Sequence, residues 1–125
     1  MELMQRDGYI DAMHRYFQHV DEHALDPLME MFAEEASLVL PITPEPIQGR
    51  AALRAFFGKL FDDHPVIRTE ILELIVDVEG EQCASEQRVT LIDRANERVV
   101  FQRNTNHFFF QSGRIIMVRG FSGRN

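Results

Sequence analysis

The stretch "FAEEASLVLPITPEPIQG", residues 32–49, decides the fold. An acidic helix end runs into a short apolar strand, residues 37–40. Pro41, Pro44 and Pro46 follow, each with φ fixed by its ring, and Gly49 opens onto a new helical pattern. A strand joined to a helix by so stiff a bend is a piece of wall followed by a piece of rim.

The chain on either side fits that reading. Towards the N-terminus, residues 4–20 carry Tyr9, Ile10, Met13, Tyr16, Phe17 and Val20 at three- and four-residue steps, the stripe of an amphipathic helix. "DEHALD" is a short connection. Asp26 is the expected N-cap of a second helix, with Pro27 in its first turn and Leu28, Met29 and Phe32 inward, ending near 32–33. Beyond Gly49, a third helix spans 50–61 with Leu53, Phe56, Phe57 and Leu60 as its stripe. The remainder is β: residues 66–79, 82–93, 99–110 and 115–121, joined by short turns such as "DRANER" and "QSGR". Short turns between successive strands make an antiparallel meander. Helices first and strands last give an α+β fold, a cone-shaped curved antiparallel sheet with three N-terminal helices on its concave face. A cone of that kind encloses a cavity for a small molecule.

Composition narrows the function classes. The chain has 125 residues, one domain's worth (1–125), and is 45% hydrophobic, ordinary for a globular protein. Its net charge of −7 argues against nucleic acid or an anionic membrane as partner. No stretch approaches a membrane span and the N-terminus lacks an apolar signal region, so the expected location is cytoplasmic. Cys83 is the only cysteine, which rules out an intramolecular disulfide. Ten Phe and no Trp suggest a wide apolar interior or an apolar sheet face that a partner covers. "VVF" (99–101) and "FFF" (108–110) put large apolar groups on both faces of one strand, and a homodimer through the convex sheet face is the expected cover.

The segments "YFQHVDEHALDPLMEMFAEEASLVLP", "PIQGRAALRAFF" and "FFFQSGRIIMVRGFS" together resemble the nuclear transport factor 2-like superfamily, and within it the SnoaL-like and ketosteroid isomerase-like proteins. The resemblance covers nearly the whole chain. It implies a cystatin-like α+β barrel with a deep pocket, used by isomerases, dehydratases, epoxide hydrolases, cyclases and non-catalytic binding modules. Ketosteroid isomerase is the handiest comparison: a carboxylate base, with a Tyr and a protonated Asp as oxyanion donors. Tyr16 matches the Tyr. Leu40, before Pro41, stands where the base would be, and Thr105 stands near the place of the second donor. One position of three survives, so the same isomerisation by the same residues is not expected.

Strand alternation puts Phe101, Arg103, Thr105, His107 and Phe109 on one face, and Cys83, Ser85, Gln87 and Val89 on one face of the preceding strand. With Thr105 inward, the pocket holds Tyr16, Gln87, Arg103, Thr105 and His107, with Leu40 and Phe56 on its apolar side. Tyr16 and His107 are then the candidate catalytic pair, and His107 is the one group suited to proton exchange near neutral pH. Leu40, Phe56, Gln87, Arg103 and Thr105 are the candidate substrate-binding residues. Each has a plainer reading: Tyr16 as a core Tyr, His107 as structural, Arg103 as an interface residue. A slip of one residue would turn Arg103 and His107 outward together and bring Asn104 and Asn106 inward. Of His14, His19 and His23 only His19 and His23 are four apart, and they sit at the helix end facing solvent, so neither metal nor cofactor is expected. The expected function is an isomerase-, lyase- or cyclase-type enzyme acting on a small apolar organic ligand bearing a carbonyl or hydroxyl. The alternative is a binding or accessory module with the same pocket.

Overall fold

The computed structural model describes residues 4–124. Its elements run α1 (Arg6–Asp21), α2 (Leu25–Glu30), β1 (Phe32–Val39), β2 (Ile47–Gln48), α3 (Arg50–Asp63), β3 (Val66–Asp77), β4 (Gln82–Ile92), β5 (Val99–Gln111) and β6 (Arg114–Arg124). The six strands form one curved, unclosed sheet in the order β2-β1-β6-β5-β4-β3. The three helices and the sheet make the α+β fold that the sequence calls for.

The meander is as expected: β3 to β6 pair antiparallel in succession. The first strand departs from it. β1 pairs with β6 in parallel, Leu38 beside Val118 and Phe32 beside Ile115, so the sheet is mixed rather than purely antiparallel. The reason is topological. The chain leaves β1, passes through β2 and α3, re-enters the sheet at its far edge as β3 and meanders back, so that β6 arrives beside β1 through a long connection, as parallel pairing requires.

The opening stretch is also divided differently. The second helix begins at Leu25 and ends at Glu30, without a side-chain cap. Asp26 is not its N-cap but an ion-pair partner of Arg54 on α3, at 2.7 Å. The strand then starts at Phe32, five residues earlier than its apolar core suggests, because long-range bonds claim the backbone there. Arg50 donates from Nε and Nη2 to the Phe32 carbonyl at 3.0 and 2.6 Å, and the Ile115 N–H reaches the Met31 carbonyl at 2.9 Å. Gly49 turns the chain into α3 with φ of 89°, a conformation that residues with a Cβ rarely adopt, and its N–H bonds the Ala36 carbonyl at 2.8 Å.

Helix α1 lies across the sheet with Tyr9, Met13, Tyr16, Phe17 and Val20 of the predicted stripe buried and Ile10 half-buried. Its C-terminus is pinned to β3 by Asp21, whose carboxylate accepts from the Thr69 N–H at 2.8 Å and the Thr69 hydroxyl at 2.7 Å. At the closed end of the cone the aromatic rings meet edge to face: Tyr16 is 5.0 Å from Phe108 and 5.1 Å from Phe17, and Tyr9 is 5.1 Å from Phe110. Such pairs add to what area burial alone gives.

Phe108 has no exposed surface and stands at the centre of this cluster. Phe108→Ala is expected to cost about 3–5 kcal/mol of unfolding free energy by loss of burial and creation of a void. Urea denaturation checks it; a loss below about 1 kcal/mol would mean that the cluster is not what closes the cone.

Candidate functional site

The cavity sits between the inner sheet face and helices α1 and α3, with a volume of about 160 Å³. That is close to the roughly 150 Å³ of an engineered cavity that accepts benzene, so the space suits a molecule of about one ring or a little more. Its helical side is apolar: Phe17 and Val20 from α1, Phe56, Phe57 and Leu60 from α3. Leu38 and Leu40 enter from β1 and the residue after it, and the Pro41–Pro46 bend leaves from Leu40 at its edge. The Thr43 N–H and hydroxyl both bond the Leu40 carbonyl, at 3.3 and 3.1 Å, and hold the first turn of that bend.

The sheet side is neutral and mixes apolar residues, Ile67, Val89, Leu91 and Val118, with the polar groups of the lining. Gln87 comes from β4, Gln102, Asn104 and Asn106 from β5, and Thr69 from β3. Gln87 and Asn104 are direct partners across the ladder and therefore share a face. Gly120, the β6 partner of Asn106, lies in the floor. A Cβ there would stand 3.0 Å from Leu40 Cδ2 and 3.1 Å from Asn106 Oδ1, so glycine lets these two side chains meet over the strand.

Tyr16 reaches the cavity from α1 and is almost fully buried. Among the described residues no hydrogen bond engages its hydroxyl, yet no buried side-chain polar atom is left both sealed and unpaired. The hydroxyl therefore borders the cavity space. Burial pushes its pKa well above the ordinary tyrosine value, so it remains a protonated donor at any physiological pH.

The sequence expectation places Tyr16, Leu40, Phe56 and Gln87 around one space, and the structure puts all four there. The inward set on β4 also stands, with Cys83, Ser85, Gln87 and Val89 all buried. Arg103, Thr105 and His107 do not join them, and this corrects the assumed facing of β5. Register decides it. Cys83 pairs with Phe108, Ser85 with Asn106, Gln87 with Asn104 and Val89 with Gln102, so the even-numbered residues of β5 look into the cone. Arg103 lies on the outer face, paired with Glu86 at 2.7 Å. His107 lies there too, its Nε2 2.8 Å from Gln82 Oε1 and its ring 4.2 Å from that of Phe109. Thr105 is exposed on the same face.

Asn104 and Asn106 are the functional candidates that the chosen register left out. The signal for them was in β4. Its inward parity is unambiguous, and the hairpin closed by Asp93 and Arg98 (2.9 Å) passes that parity to β5 with odd and even exchanged.

Among the described residues the lining contains no Asp, Glu, His, Lys, Arg or Cys. Asp21 stands behind Thr69 with its carboxylate committed to that residue. No group of three or more His, Cys, Asp and Glu among the described residues is arranged to hold a metal ion. Among the described residues no helix is long and apolar enough to cross a membrane.

The chain belongs to the SnoaL-like family: the model of the SnoaL-like domain matches residues 13–118. No curated protein matches it. Solved structures share the fold across nearly the whole length. The epoxide hydrolase/cyclase-like enzyme SalBIII, with a role in pyran-ring formation in the polyether salinomycin, is 25% identical with a TM-score of 0.84, covering 96% of this chain and 95% of that one. A proposed SnoaL-like polyketide cyclase from Jannaschia sp. CCS1 is 14% identical with a TM-score of 0.83, covering 98% and 91%. A proposed ketosteroid isomerase from Kribbella flavida is 19% identical with a TM-score of 0.79, covering 95% and 80%.

Cys83 is inward but buried against the core, and desolvation pushes its thiol up to about 12. Thiolate is the reactive form, so at pH 8 the native protein is expected to leave Cys83 unmodified by a disulfide reagent while the urea-unfolded chain reacts at once. Rapid labelling of the folded protein would overturn this placement.

Proposed function

We propose that this SnoaL-like protein binds a small, neutral, mostly apolar molecule carrying an oxygen function, and that it does so without acid–base catalysis of its own. One observation carries the reading: the only titratable group among the described lining residues is Tyr16, and burial keeps it protonated. A charged ligand would lose its hydration without gaining a counter-ion, which is costly. A neutral ligand lays its hydrocarbon against Leu38, Leu40, Phe56 and Leu60 and its oxygen against Tyr16 and the amides.

The Tyr/His acid–base mechanism loses its second member, because His107 faces away from the cavity. Leu40 removes the position where the resemblance implies a base. What remains is polarisation of a ligand oxygen by hydrogen bonds, worth about 3–4 kcal/mol per well-placed donor in enzymes generally. A second reading draws on that. Cyclase-type assistance needs no strong base when the substrate carries its own electrophile, and the 25% identity to SalBIII favours it over isomerisation. Tyr16 would be the donor.

Titration calorimetry with 2-tetralone and 2-naphthoate tests the binding reading. The ketone is expected to bind with an affinity constant from pH 5 to 9, and the carboxylate at least about tenfold more weakly, since its charge has no partner inside. His107→Ala leaves both values unchanged, whereas Gly120→Leu fills the floor and abolishes binding. Tighter binding of the carboxylate, or an affinity that titrates near pH 6–7 and follows His107, would sink the reading.

The outer sheet face is proposed as a homodimer interface. Phe101 and Phe121 are each 58% exposed and Ile75 is 62% exposed, on the face that also carries Arg119 over the Phe109 ring. Exposed groups of that size on one sheet face favour a second protein surface over water. Phe121→Glu is expected to shift sedimentation from dimer to monomer while leaving the cavity's ligand affinity intact. A wild-type monomer at 100 µM concentration (roughly the range where weak dimers still form) would exclude it.

A further inference from the structure

We propose that Ser85 and Ser122 set the polarity of the cavity, so that it selects ligands whose oxygen only accepts hydrogen bonds, such as a ketone, lactone or ether, over ligands bearing a hydroxyl. The inference rests on the neutral-ligand reading above and goes one step further into it.

A side-chain amide has an acceptor oxygen and a donor NH₂ on the same carbon, and it presents whichever end its surroundings leave over. Here the surroundings consume the oxygens. The Ser85 hydroxyl donates to Gln87 Oε1 at 2.8 Å. The Ser122 hydroxyl donates to Asn104 Oδ1 at 2.6 Å, and Asn104 Nδ2 donates in turn to Gln102 Oε1 at 3.4 Å. Three of the four lining amides thus have their carbonyls engaged. Anchoring the oxygen turns the NH₂ away from the serine. The Gln87 nitrogen makes no hydrogen bond among the described residues, and it is not sealed, although the residue is only 1% exposed. The Gln102 nitrogen likewise makes no bond among the described residues.

The result is an array of N–H donors, joined by the Tyr16 hydroxyl, facing a hydrocarbon wall. Asn106 is the lining amide whose oxygen takes no such bond, and that oxygen lies over Gly120. A ketone or ether satisfies the donors and brings no donor of its own. An alcohol brings an O–H for which Asn106 Oδ1 is the one lining amide oxygen, among the described residues, not already engaged; away from Asn106 that O–H meets no free amide oxygen, and an unpaired buried donor is costly. Ser85 is buried and Ser122 exposed at the rim, so one controls the deep end of the array and the other the mouth.

The experiment compares 2-tetralone with 2-tetralol, which share one carbon skeleton, by calorimetry on wild type, Ser85→Ala and Ser122→Ala. Wild type is expected to favour the ketone by about tenfold. In each variant the released amide can turn over and offer its oxygen, and the ratio falls towards one. Ser122 is exposed, so its variant tests the idea even if Ser85→Ala lowers stability. Equal binding of ketone and alcohol to wild type, or a ratio unchanged in both variants, overturns the inference while leaving the neutral-ligand reading in place. Failure of both probes to bind wild type, or binding that survives Gly120→Leu, sinks the neutral-ligand reading and this inference with it.

Discussion

The pairing of Gln87 with Asn104 across β4 and β5 is the constraint on which the site depends. Side chains on a strand alternate, so one ladder contact fixes the facing of every residue along both strands. With that pair inside, β5 presents Val100, Gln102, Asn104, Asn106, Phe108 and Phe110 to the cone. Shifted by one residue, the same strand would present Arg103, Thr105 and His107, and the cavity would be cationic and titratable. The chemistry available to the protein therefore follows from a register, before any individual side chain is considered.

The inner row of β5 also grades along its length. Phe108 and Phe110 pack into the closed end against Tyr16 and Tyr9, and the three amides occupy the stretch that faces α1 and α3 across the cavity. Along β5, aromatic side chains thus give way to amides where the cavity begins. The helices are held at this spacing by polar contacts at their ends: Asp21 fastens α1 to β3, and Arg50 fastens α3 to the start of β1. An array of partly engaged amides inside a fold is stabilising only if its remaining donors meet water or a ligand, because unpaired buried polar groups cost free energy. The cavity is where that requirement is met.

The fold was largely legible in the sequence. The buried stripes of α1 and α3 follow the 3.6-residue period, and the strands of the meander are bounded by turn residues at 78–81, 93–98 and 112–113. On β4 the alternation is clean, and Cys83, Ser85, Gln87 and Val89 are buried as it implies. On β5 it is not. Its odd row holds Phe101 and Phe109 and its even row holds Phe108 and Phe110, so hydrophobicity weighs the two faces almost equally. Tyr16 and Leu40, the positions singled out by resemblance, both line the cavity, because helix stripes and the residue before a proline tolerate little drift. It gave no such hold on Thr105, which was reached by counting back along a strand whose pairing with β6 contains an irregularity at Phe109 and Phe110.

The sequence by itself determined the α+β fold, the helix faces, the stiff bend after Leu40 and the absence of a carboxylate at that position, since these follow from local periodicity and residue type. Only the tertiary structure decided which face of β5 meets the cavity, that β1 runs parallel to β6, and that Asp26 pairs with Arg54 rather than capping its helix. The β1–β6 ladder and the Asp26–Arg54 pair are settled by contacts between segments far apart in the chain, which leave no mark in the residues of either segment alone; the facing of β5 is settled by its hairpin register with β4, which the two similarly apolar rows of β5 hide although the parity of β4 carries it. The segment at 32–49 shows both sides of this: its prolines and Leu40 could be read directly, but its strand begins at Phe32 because Arg50 and Ile115 bond the backbone there.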